Sequence, residues 1–249
     1  MKQDSSENFN DKTQTLVYHL EALRSVLIKS LAALGIGLVP MFLCSPYALD
    51  FLTARIVEEC QTPLHYFSPM EVFFLQLKLS LLFDVIICFP YIAYQIWKFI
   101  TPALYENEQK FIRSTVLLSS LLFASGVCFC LVTCIPIILK FGLSFSDPSL
   151  QPIFSVENVV SLAIWLSLAF GCMFQFPLVT YALIRTDIVE YKTIASKRPY
   201  VLIVILVISA LLTPPDIISQ VILATPTYLL FEIGLFFSKF HTKKLNDEN

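Results

Sequence analysis

The chain has 249 residues, 56% of them hydrophobic and only 14% charged, with a formal net charge of −2. A soluble domain carries roughly 25% charged residues, so a water-soluble fold coated with charge is excluded. The charged residues instead gather between apolar runs long enough to cross a bilayer.

Residues 1–15, MKQDSSENFNDKTQT, are polar, carry both signs of charge and show no signal-peptide cleavage pattern, and a flexible N-terminal segment is expected there. The first span is expected over 26–44, with Lys29 near one end, where its long side chain can snorkel to the interface. Ser45-Pro46 then opens a segment in which Leu49, Leu52, Ile56 and Cys60 recur at helical spacing, which predicts an amphipathic helix lying in the membrane interface. In Ser68-Pro69-Met70-Glu71, Ser68 can cap, Pro69 suits the first helical turn and Glu71 completes a capping box. The second span, 72–97, follows from it, and the third covers 114–139; each is about 39 Å long at 1.5 Å per residue.

Cys128, Cys130 and Cys134 fall inside the third span with no His or carboxylate nearby, so they read as small packing residues and no metal is expected. Six of the seven cysteines lie in or beside apolar runs, and no disulfide framework follows from their odd number. The fourth span is 159–184. The fifth, 200–213, covers only about 21 Å, short of the roughly 30 Å hydrocarbon core. Two prolines stop it in Thr213-Pro214-Pro215-Asp216, and Asp216 is either the N-cap of the sixth span, 217–237, or a functional residue. A polar tail occupies 241–249. The expected fold class is therefore all-α: one six-helix membrane domain over 16–240.

Fourteen of the 17 Lys and Arg residues lie at the chain ends and in the even-numbered loops, against Arg55 and Lys140 in the odd loops and Lys78 inside the second span. The positive-inside rule then puts both termini in the cytoplasm, which requires an even number of spans.

The three histidines (His19, His65, His241) lie outside the spans, and no metalloprotease, P-loop, nucleophile-elbow or dinucleotide motif is present. No catalytic residue, cofactor or nucleic-acid partner is expected. Charge in mid-bilayer costs roughly 2.5–3.5 kcal/mol on insertion scales, so polar residues within spans need partners. Lys78, two helical turns after Glu71 on the same face, is expected to pair with it or to snorkel. Asp84 shows no partner one turn away and is expected to face another helix or water. Gln175 can hydrogen-bond between helices or serve function, and Glu232 can reach the interface or serve function. The carboxylates of Glu21 and Glu108 at the membrane surface are either a solvated face or a site for a doubly cationic peptide, since guanidinium and carboxylate form bidentate bonds.

In order and spacing, several motifs resemble the TatC family, the multi-spanning receptor subunit of the twin-arginine protein translocase. They are His19-Leu20-x-x-Leu23-Arg24, Ser68-Pro69-x-Glu71 with Leu77-Lys78, and Pro90-Tyr91 through Trp97-Lys98-Phe99 into Pro102-Ala103-Leu104-Tyr105-x-x-Glu108. Further on come Phe170-Gly171-x-x-Phe174-Gln175-x-Pro177, Lys197-Arg198-Pro199-Tyr200, Leu212-Thr213-Pro214-Pro215-Asp216-x-x-Ser219-Gln220 and Phe231-Glu232-Ile233-Gly234.

The resemblance implies a concave, glove-shaped bundle with short fifth and sixth helices in the bacterial cytoplasmic (inner) membrane. It further implies that the chain binds twin-arginine signal peptides of folded cargo and assembles with small single-span subunits of TatA/TatB type, itself in a homo-oligomeric arrangement. By position, Glu108 matches the signal-binding carboxylate, with Arg24, Phe99 and Glu21 close by. Thr213, Gln220 and Asp216 match positions that contact partner helices.

The chain departs from the family pattern in four places. Ala22 replaces a second carboxylate, Gln175 stands where many members have glutamate, Arg55 where proline is common, and Asp84 where a small neutral residue is usual. The alternative function is a small secondary transporter of a solute or ion, for which Asp84 and Gln175 would be the polar mid-span residues; no internal repeat supports it. A membrane-embedded enzyme and a passive scaffold are the remaining classes.

Overall fold

The computed structural model describes residues 4–60, 63–100, 109–144, 153–185, 189, 191–212 and 217–247. Helix α1, Asp4–Cys60, has 57 residues. At about 85 Å it is roughly twice the 40–45 Å of a bilayer with its headgroups, so it projects beyond the membrane. No Gly or Pro occurs before Gly35, and the helix starts at Asp4, within the segment expected to be flexible.

Pro46, expected to open a separate helix, lies inside α1. A proline at this position has no N–H for the carbonyl of Phe42, and the buried Ser45 hydroxyl donates to that carbonyl at 2.7 Å instead. The segment after Pro46 is consequently a continuation of α1, not a separate helix. Its apolar side chains Leu49, Leu52 and Ile56 are buried in the main core against the other helices. The spacing of that apolar stripe is helical as expected, but it packs on protein rather than lipid.

Helix α2, Pro69–Ile100, returns alongside α1. Helix α3, Gln109–Phe129, runs through a π-turn, Cys130–Cys134, into α4, Ile135–Leu143, as one rod. The wide turn ends where Ile135 N–H reaches the Cys130 carbonyl, just before Pro136, whose ring an ordinary α-turn would press against a carbonyl four residues back. Cys130 and Cys134 are buried in the main core, and Cys128 is exposed.

The fourth span is divided into α5, Val156–Met173, and α6, Phe176–Arg185. Pro177 again supplies no donor, and the chain tightens there, with Gln175 N–H bonding the Cys172 carbonyl at 3.0 Å. A short α7, Tyr191–Ser196, precedes α8, Arg198–Leu212, whose 15 residues cover about 22 Å. Helix α9, Ile217–Asp247, continues into the stretch expected as a tail; its apolar part is Gln220–Lys239.

Among the described residues, five helical stretches are long and apolar enough to cross a membrane, and Arg198–Leu211 is a shorter apolar sixth. The chain is an integral membrane protein. Helix α5 lies at its centre, touching α1, α2, α3, α8 and α9. By contrast, α1 turns Leu27, Leu31, Ile36, Val39 and Leu43 outward as a lipid-facing edge.

Close helix approach uses glycine. A Cβ on Gly126 would stand 2.6 Å from the Phe170 carbonyl oxygen, and one on Gly234 would stand 2.7 Å from Pro177 Cα. At the end of the bundle away from the N-terminus, β1, Leu64–His65, pairs in parallel with β2, Phe154–Ser155, and joins the two loops.

Candidate functional site

The α1–α2 contact sets the level of the N-terminal end of the bundle. Gly37 of α1 faces Asp84 of α2. From that point Glu21 and Arg24 lie about 24 and 20 Å back along α1, and Phe99 lies about 22 Å forward along α2. The antiparallel pair therefore brings the three residues to one level. Glu21 and Arg24 are exposed, and Phe99 is half-buried.

This end of α2 is held by Trp97, which is buried with Ala93 against Leu178 and Ala182 of α6. Its outer face carries Tyr91, Tyr94 and Lys98, spaced so that they share one side of the helix. Lys98 Nζ sits 5.9 Å from the centre of the Tyr94 ring, and Gln95 donates to the Tyr91 hydroxyl at 2.9 Å. Such an aromatic and basic stripe suits the headgroup layer. Glu108 lies outside the described residues; its neighbour Gln109 opens α3 at this same end.

The two polar residues expected within the membrane are engaged inside the protein. Ser119 Oγ of α3 donates to Gln175 Oε1 at 2.6 Å, while Gln175 Nε2 donates to the carbonyls of Ser119 at 3.1 Å and Gly171 at 3.4 Å. The Gly171 carbonyl would ordinarily accept from Gln175 N–H, which the break before Pro177 has diverted, so the amide side chain takes over that acceptor as it ties the break to α3. Asp84 is fully buried. It does have a partner one turn on, contrary to expectation: Cys88 Sγ lies 3.3 Å from Asp84 Oδ1 and 3.8 Å from the Ala33 carbonyl. A thiol is a weak donor, easily missed in a sequence scan for charged partners.

At the opposite end, Lys78 does not pair with Glu71. Its Nζ lies 3.2 Å from Glu157 Oε1 and 3.1 Å from Ser161 Oγ, both on α5. Glu71 is occupied by backbone: it accepts from Phe67 N–H at 2.8 Å, Ser155 Oγ at 2.9 Å and Glu157 N–H at 3.1 Å. One carboxylate thus caps the starts of both α2 and α5, where free N–H groups and the helix dipole favour negative charge.

Nearby in sequence order, Thr213 and Asp216 lie outside the described residues. Gln220 donates through Nε2 to the Leu206 carbonyl of α8 at 2.9 Å. At the other end of that hairpin, Arg198 clasps Glu232 with Nε 2.9 Å from Oε1 and Nη2 3.1 Å from Oε2, and the Tyr228 hydroxyl donates to Glu232 at 3.0 Å. Glu232 is therefore engaged within the protein by Arg198 and Tyr228.

A family profile described as "Sec-independent protein translocase protein (TatC)" matches residues 18–226. The chain belongs to the TatC family. A TatC protein of Aquifex aeolicus is 37% identical over 232 residues, covering 92% of this chain and 96% of the relative. Those of Carboxydothermus hydrogenoformans and Escherichia coli K12 are each 34% identical, with 92% and 94% of this chain and 95% and 92% of the relative covered. A crystal structure described as the twin arginine translocase receptor TatC superposes with a TM-score of 0.82 at 36% identity, covering 90% of this chain and 99% of that one.

This TatC-family chain is a component of a protein translocase, and the solute-transporter alternative has no support. The family motifs acquire local physical reasons in the fold. Ser68-Pro69-x-Glu71 is the double helix cap, Phe174-Gln175-x-Pro177 is the bonded break in the fourth span, and Arg198 with Glu232 is the clasp between α8 and α9. Sequence reasoning missed Ser119, Glu157 and Gly37 as partners. A search for serine, glycine or an oppositely charged residue at matching membrane depth on neighbouring spans would have raised them as candidates.

Proposed function

We propose that the chain binds twin-arginine signal peptides of folded cargo at the cytoplasmic end of its bundle. The paired guanidinium groups meet the carboxylates of Glu108 and Glu21, with Arg24 and Phe99 beside them. The observation that carries this reading is the common level of Glu21, Arg24 and Phe99 at the end where α3 begins, with Glu21 exposed and the rigid α1–α2 pair holding the distances. A bidentate guanidinium–carboxylate bond rewards such fixed placement.

In the same reading Thr213, Asp216 and Gln220 receive the transmembrane helices of single-span partner subunits at the opposite end of the short α8. Gln220 has one donor bonded to Leu206. An amide offers two donor hydrogens and an acceptor oxygen, so capacity remains for a partner. The working location is the bacterial cytoplasmic membrane with both termini inside, an orientation favoured by the distribution of basic residues.

The test is binding of a fluorescent twin-arginine signal peptide to the full chain in lipid nanodiscs. Glu108→Gln is expected to weaken binding about tenfold, in keeping with loss of one charge-assisted bond, and a twin-lysine peptide should bind less well than twin-arginine to the unaltered chain. Undiminished binding to Glu108→Gln would remove that residue from the scheme. Equal binding of both peptides would remove guanidinium recognition.

A further inference from the structure

A groove of about 580 Å³ opens between the last turns of α1, Ile86 of α2 and the rod formed by α3, the π-turn and α4. Its walls are hydrocarbon, among them Phe51, Val127, Leu131, Ile135 and Leu139. Among the described residues, the charged side chains lining it are Arg55 and Glu58. Along the rod it extends from Leu139 to Ala124, about 22 Å, more than the roughly 15 Å of one leaflet of the hydrocarbon core.

The depth of the charged pair follows from α1. Arg55 lies 26 residues beyond Lys29, a rise of about 39 Å, close to the 40–45 Å between the two headgroup surfaces. With Lys29 at one interface, Arg55 and Glu58 stand at headgroup level on the other. Their mutual contact is loose, at 3.9 Å, with side chains 52% and 77% exposed. Such a pair contributes little by itself, so both charges remain available to a ligand.

An acyl chain fits the apolar walls, and the cation and anion one helical turn apart match a headgroup carrying both a phosphate and a primary ammonium. The Arg55 guanidinium can fork onto phosphate oxygens, and the Glu58 carboxylate can accept from the ammonium. Phosphatidylcholine has no N–H for Glu58, and phosphatidylglycerol has no cation.

We propose that this groove is a binding site for one molecule of phosphatidylethanolamine, its headgroup on Arg55 and Glu58 and an acyl chain along the rod.

The test is native mass spectrometry of the full chain incubated with equimolar phosphatidylethanolamine, phosphatidylglycerol and phosphatidylcholine of identical acyl chains. The unaltered chain is expected to retain one phosphatidylethanolamine at about tenfold preference over either competitor. Arg55→Gln and Glu58→Gln should each lower that retention about tenfold, and Glu58→Gln should shift the remainder toward phosphatidylglycerol. Ala124→Trp, which fills the apolar floor, should lose the lipid with the charged pair intact. Equal or stronger retention of phosphatidylglycerol by the unaltered chain would overturn the proposal, as would unchanged phosphatidylethanolamine retention in both glutamine variants. Those two variants alter exposed side chains, so they decide the matter even if Ala124→Trp does not fold.

Discussion

Replacing Gly37 by alanine tests whether α1 and α2 meet as closely as the structure shows. A Cβ there would run into Asp84 Oδ1, and it would lie 3.1 Å from Asp84 Cγ and 3.2 Å from Cys88 Sγ. Asp84 is fully buried, so its carboxylate has no open space to enter. Overpacking of this kind costs about 1–3 kcal/mol, whereas alanine in a helix gains about 1 kcal/mol over glycine. Gly35, two residues earlier on the same helix, has nothing within 4 Å of an added Cβ, and Gly35→Ala carries only the gain. Subtracting one variant from the other cancels the propensity contribution and leaves about 1–3 kcal/mol, or roughly 2–12 °C in melting temperature for a chain of this size. The assay is thermal unfolding of the full chain in detergent. In an Asp84→Ala background the penalty of Gly37→Ala should largely vanish, because the obstructing oxygen is gone. Equal melting temperatures for the two alanine variants, or effects of Gly37→Ala and Asp84→Ala that simply add, would refute the contact.

Two further predictions concern polar pairs. Gln175→Ala should lower stability by about 1 kcal/mol, within the range measured for hydrogen bonds between membrane helices. Gln175→Glu in its ionised form should cost more, because it faces the carbonyls of Ser119 and Gly171 with no donor; thermal unfolding checks both, and a glutamate variant as stable as the unaltered chain would contradict the bonding described. Arg198→Ala should loosen the clasp to Glu232 by up to about 1 kcal/mol, since the pair is 43% and 33% exposed. Arg198→Lys should fall between, keeping the charge but not the Nη2 hydrogen bond to Glu232. Hydrogen exchange in the first turn of α8 should quicken by up to about fivefold for the alanine variant, and no change would show that the pair does not hold the hairpin.

Spans are legible in sequence because lipid demands a continuous apolar stretch of set length and every backbone group bonded within it. Six apolar stretches, the shortness of the fifth and the helix start at Ser68-Pro69-x-Glu71 all follow from one segment at a time. The family motifs around Gln175 and Arg198 were equally visible, but what those residues touch was not. Lys78 has Glu71 in helical register on its own span and still pairs with Glu157 on another. Leu49, Leu52 and Ile56 form an amphipathic stripe that would suit an interface, and the structure turns it onto protein instead. Pro46 signals a helix boundary, which the hydroxyl of Ser45 cancels by taking the stranded carbonyl.

The amino-acid order alone therefore showed which stretches are apolar and long enough to cross a membrane and which family the chain resembles. The tertiary structure decided which polar groups meet. The reason is geometric: a partner on another helix depends on that helix's rotation and depth, and these are set jointly by close approaches such as Gly37 on Asp84 and Gly234 on Pro177, not by any pattern within a single span.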